Sequence, residues 1–122
     1  MRKVKFRGWA EDCKEWIYGA WQSSTPDKLF DTHPHNLPFE TVNPQSVGQY
    51  TEMSDAKGKK IFEGDLLENQ TKEGNYRRGK VAFFNGRWNI EYLDGGYAEL
   101  YWALKGGEFI VVGNAFEKPQ KT

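Results

Sequence analysis

The dipeptide Asn85-Gly86 constrains this chain more than any other feature. It sits within GKVAFFNGRWNIEYL, between two runs in which apolar and polar residues alternate. A two-residue hairpin of type I′ needs positive φ at both central positions, and Asn-Gly tolerates that best. With those two residues at the turn, Phe84 faces Arg87, Phe83 faces Trp88, Ala82 faces Asn89, Val81 faces Ile90 and Lys80 faces Glu91. Strand side chains alternate, so Val81, Phe83, Trp88, Ile90 and Tyr92 share one apolar face. Lys80, Ala82, Phe84, Arg87, Asn89 and Glu91 share the other. A slip of one residue would mix the two faces, so the pattern itself specifies the register.

The rest of the chain repeats the same language. Lys3 to Trp9 alternates, and Trp16 to Trp21 reads as a returning strand across the polar turn Ala10 to Glu15. Trp9, Trp16 and Trp21 read as core packing or a lid on a barrel end rather than a stacking platform for bases. Val47 to Thr51 is a strand, Asp55-Ala56-Lys57-Gly58 a turn, and Lys59 to Leu67 a strand bent or bulged at Gly64. Tyr97 to Leu104 reads as a short helix, with Leu100, Tyr101 and Leu104 on one face and Gly106-Gly107 as its C-terminal cap. A strand there stays open as the alternative. The run Phe109 to Val112 predicts a central strand buried on both faces. The sum is a mainly β fold: one domain over residues 1–122, a partly closed barrel or a sandwich of about six to seven short strands with little helix.

Residues 22–46 carry four of the five prolines and little periodicity, which predicts a Pro-rich loop excursion with a short strand near Phe39 to Val42. Asp31, His33 and His35 lie in it. Pro34 separates the histidines and no second ligand cluster exists, so they read as solvated loop residues rather than a metal site. A single cysteine, Cys13, excludes an internal disulfide and suits a reducing compartment. Cys13 has acidic neighbours and nothing that would activate it. The basic N-terminus lacks an apolar core segment, and no apolar run is long enough to span a bilayer. The expectation is a cytoplasmic protein without membrane contact.

No phosphate loop, nucleophile elbow, Cys–His signature or zinc spacing is present, so no catalytic, cofactor-binding or metal-binding residue is assigned. A carboxylate-dependent enzyme would have to use Glu63, Asp65 or Asp94. Glu63 and Asp65 read better as a wet strand face, or as an Asp satisfying turn amides. Nucleic acid is the stronger alternative. Arg77, Arg78, Lys80 and Arg87 lie on or beside the hairpin with Tyr76 and Phe84, and basic surfaces with interleaved aromatics bind single strands. The formal net charge of zero and the position of Glu91 weigh against it. High aromatic content, with five Trp, six Tyr and eight Phe, leaves some rings near the surface and favours contact with a protein partner or a second copy.

Three blocks carry a resemblance. Lys5-Phe6-Arg7-Gly8-Trp9 stands near the start. Val47-Gly48-Gln49-Tyr50-Thr51 follows, then Asp55 to Lys59, then Ile61-Phe62-Glu63-Gly64-Asp65. Ile110-Val111-Val112-Gly113-Asn114-Ala115-Phe116-Glu117-Lys118-Pro119 comes near the end. In order and spacing the chain resembles the YopX family of small phage and prophage proteins. It departs from the family pattern at Glu52, where the family favours Gly, and at Gly8, where it favours Ala. The resemblance implies a mainly β fold and a phage or prophage origin in a bacterial cell. It implies no activity, cofactor or catalytic residue.

Overall fold

A computed structural model describes residues 6–30, 39–69 and 77–114. The chain divides into two compact units, Met1–Tyr50 and Thr51–Thr122. Among the described residues there are eleven strands and one helix, so the fold is mainly β as the alternation predicts. The strands form two open sheets, one of six and one of five, and not a closed barrel. The excess over six or seven strands comes from three-residue pieces, too short to show a period in sequence. No helix among the described residues is long and apolar enough to cross a membrane.

In the first unit, β1 (Phe6–Ala10) pairs antiparallel with β2 (Glu15–Trp21), the hairpin expected from the Trp-rich runs. β3 (Lys28–Phe30) and β4 (Phe39–Thr41) extend that sheet, so the Pro-rich stretch contains more strand than its composition suggests. Asp31, His33 and His35 lie outside the described residues. β5 (Asn43–Ser54) flanks β1 on its other side and runs on into the second unit. Trp9 and Trp16 pack edge to face at 5.1 Å, and the Arg7 guanidinium lies 4.0 Å from the Trp16 ring centre. The tryptophans are therefore packing elements, each half-buried. Cys13 is exposed in the β1–β2 turn, and its thiol pKa is raised, by desolvation and then by a hydrogen bond and the charge of Glu15. A raised pKa leaves less thiolate at neutral pH, the opposite of activation.

The second unit contains β6 (Lys60–Phe62), β7 (Asp65–Asn69), β8 (Arg77–Phe84), β9 (Arg87–Tyr92), β10 (Tyr97–Glu99), α1 (Leu100–Gly106) and β11 (Phe109–Asn114). Its five-stranded sheet has the order β10-β9-β8-β7-β11. The β8–β9 ladder has the register that the Asn85-Gly86 turn dictates, and both turn residues have positive φ, 55° and 76°. Ile61, Leu67, Val81, Ile90, Leu100 and Phe109 form the core, with Trp88, Tyr92, Met53 and Leu104 packed against it. Each fully buried side chain of this size contributes about 1.5–3 kcal/mol by leaving water.

Three expectations change here. Lys59 to Leu67 is two strands, because Glu63-Gly64 is a full turn with Gly64 at φ 92°. α1 begins only at Leu100. It buries Leu100 but exposes Tyr101, and it ends at an extended Gly107 rather than a left-handed cap. β11 is an edge strand, and Val112 is 42% exposed at a bulge between the β7 partners of Val111 and Gly113. An apolar run alone does not distinguish a central strand from a bulged edge. Phe83 is also exposed, despite lying on the core-side face, where it meets Trp88 edge to face at 5.0 Å.

Candidate functional site

The five-stranded sheet has a core face and an outer face, and the registers assign every side chain to one of them. Gly79 and Val81 of β8 pair with Tyr92 and Ile90 on the core face. Arg78, Lys80, Ala82 and Phe84 point the other way. On β7 their neighbours are Glu68 and Leu66. On β9 they are Glu91, Asn89 and Arg87, and β10 adds Tyr97 and Glu99. Leu93 joins them at the strand end, where its N–H donates to the Arg78 carbonyl at 2.9 Å.

Four of the five residues singled out for nucleic acid thus share this surface: Arg78, Lys80, Phe84 and Arg87. Arg77 does not. It lies on the core side, its guanidinium 3.7 Å from the Tyr92 ring centre, and donates to Asp94 at 3.2 Å and to the Gly95 carbonyl at 3.3 Å. Tyr76 lies outside the described residues. The outer face also carries Glu68, Glu91 and Glu99, which match its three cations in number. Arg78 Nε donates to Glu68 Oε2 at 2.8 Å, and Arg87 Nη1 to Glu99 Oε1 at 3.2 Å. Lys80 faces Glu91 across the ladder, the pairing read from sequence.

The aromatic part of the face was only half legible. The Phe84 ring meets Tyr97 edge to face at 5.2 Å, across β9. Asn89 lies between their partner positions and is 1% exposed. Its Nδ2 donates to the carbonyls of Phe84 and Arg87 at 2.9 and 3.0 Å, which ties off the hairpin end. Sequence reasoning missed Glu68 because no tight turn announces the β7–β8 register, and it missed Tyr97 and Glu99 because the helix reading of Tyr97 to Leu104 hid the strand that follows the Asp94-Gly95-Gly96 turn. At one end of the face an open cleft of about 400 Å³ is lined by Glu68, Arg77, Arg78, Leu93 and Asp94.

The carboxylates considered for catalysis are not brought together. Asp65 is 1% exposed at the start of β7, where its Oδ2 accepts the Phe62 N–H at 2.8 Å and its Oδ1 faces Asn114 Nδ2 at 3.5 Å. Asp94 is exposed and bound to Arg77, which pairs with Asn69 at the far end of β7, about 13 Å away at the usual strand rise. Glu63 is half-exposed in the turn. Among the described residues, no group of three or more His, Cys, Asp or Glu could hold a metal.

A family model described as YopX protein matches residues 5–121. The chain belongs to the YopX family. No curated protein matches it. The central block of the YopX resemblance, Val47 to Asp65, is framework. Thr51 Oγ1 donates to the Ile61 carbonyl at 2.8 Å. Asp55 Oδ1 accepts from the N–H groups of Lys57 and Lys59, and its Oδ2 accepts from Val111, all at 2.8–2.9 Å. The departure at Glu52 has a physical reading: its φ is 69°, in the left-handed region that favours glycine. Glu52→Gly removes that strain against a higher chain entropy, so it is expected to stabilise by about 0.5 kcal/mol. A urea midpoint that falls instead would show that the Glu52 side chain contributes more than its backbone costs.

Proposed function

We propose that this YopX-family chain is a phage- or prophage-derived accessory protein of the bacterial cytoplasm, acting by non-catalytic protein contact and foremost by self-association. The observation that carries this reading is the exposure of large apolar side chains on the second unit. Leu93, in the turn after β9, is 65% exposed, and Tyr97 on β10 and Trp102 on α1 are 59% and 64% exposed, beside a well-formed core. Aromatic side chains surrounded by paired charges match the composition of interfaces better than that of a purely solvated sheet. The commitment of Asp55 and Asp65 to backbone N–H groups supports a framework role for these acids. The family resemblance supports the phage origin.

A second reading, that the outer face binds single-stranded nucleic acid, draws support from Arg78, Lys80, Phe84 and Arg87 sharing it. The three carboxylates among them bring its charge near zero, which weakens the attraction to phosphates. Sedimentation velocity from about 5 to 500 μM at low salt separates the readings, since interfaces of modest size bind in this range. Reversible growth in sedimentation coefficient is expected. A monomer throughout, joined by retention of single-stranded DNA at low salt, would replace the first reading by the second.

A further inference from the structure

Three rows of the outer face are self-complementary, and the fourth, Ala82 beside the buried Asn89, carries no charge. One row across the sheet reads Leu66, Lys80, Glu91, Tyr97 on β7, β8, β9 and β10. Its chemistry is apolar, cation, anion, apolar. A two-fold axis parallel to the strands, between β8 and β9, lays β8 over the second copy's β9 and β7 over its β10. Lys80 then meets Glu91 of the second copy, and Leu66 meets Tyr97. In the row at the hairpin end, Phe84 meets Arg87, a cation–aromatic contact. At the other end, the stem of Arg78 meets Leu93, which lies beside it in the sheet. No row sets like charges against each other on β8 and β9, which a random solvated face does not guarantee.

We propose that this face is the contact of a symmetric homodimer, with Lys80–Glu91 pairs repeated on both sides of the two-fold axis. The proposal rests on the self-association reading and assigns it a surface. The four strands that overlap, about 4.8 Å apart, with side chains displayed over about 25 Å of strand at most, offer roughly 500 Å² per copy. That is below the roughly 800 Å² of a standard stable complex, so a weak, salt-sensitive dimer is expected.

Charge swapping tests it. Lys80→Glu gives a row with two acids, and Glu91→Lys gives a row with two lysines. Both positions are exposed, so both variants are expected to fold, which circular dichroism checks. Each variant alone is expected to dimerise at least about ten-fold more weakly than the parent, from like charges directly opposed across the contact. An equimolar mixture is expected to regain the dimer, because every acid then meets a lysine. If the parent associates but both variants do so equally well, the surface is wrong and the self-association reading survives. If each variant is impaired but the mixture does not recover, the two-fold pairing is wrong. A parent that stays monomeric overturns both readings.

Discussion

Asp55→Ala is expected to cost about 3–5 kcal/mol, a large part of the stability of a domain this size. Asp55 is 8% exposed, and its two oxygens accept three backbone N–H groups, from Lys57, Lys59 and Val111. Two of these bonds close the turn between β5 and β6. The third ties that turn to β11, beside the Ala56 N–H to Phe109 carbonyl bond at 2.9 Å. Alanine leaves all three donors without their acceptor. Hydrogen bonds to a charged acceptor contribute about 1.5–3 kcal/mol each and are not fully additive. The thermal midpoint should fall by about 12–20 °C. Asp55→Asn keeps one carbonyl oxygen and should lose about half as much. A fall of only a few degrees for alanine would show that water takes over the carboxylate's role.

Asp65→Ala is the second large effect, expected at about 3 kcal/mol, whereas Glu63→Ala should change stability by less than about 0.5 kcal/mol. The contrast follows from position rather than chemistry. Gly64 has positive φ and sends its N–H to the Val81 carbonyl at 2.8 Å, which turns the chain sharply between β6 and β7. Asp65 comes out of that turn pointing inward, onto the Phe62 N–H and towards Asn114. Glu63 stays at the half-exposed side. Chemical denaturation of the two variants measures the difference directly. Equal losses would mean that the turn, not the buried carboxylate, sets the stability here.

These acids show what sequence could and could not disclose. The reading of an Asp that satisfies turn amides was available at both sites, since Asx turns are local. The third bond of Asp55, to Val111, was not, because it joins residues 56 apart. The same division runs through the fold. Asn85-Gly86 announces a turn, so five cross-strand pairs followed from it. β3 and β10, three residues each, show no period, and β11 hides its bulge within an unbroken apolar run. For the outer face, Lys80 opposite Glu91 came from one tight turn. The partnership of Arg78 with Glu68, and of Arg87 with Glu99, required two further registers. Charge balance on that surface was therefore visible only as the net charge of the whole chain.

The bond from Asp55 to Val111 also bears on how the protein is made. Phe109 completes the core of the second unit, and β11 pairs with β7, at least forty residues earlier. On the ribosome, that unit cannot close its last strand until Val111 has left the exit tunnel. Its hairpins can form early, since their contacts are local, but their apolar faces must wait. A chain released with Phe109 still undocked shows water the core faces of β7, β8 and β9, and that interval is when it is open to aggregation or to a chaperone.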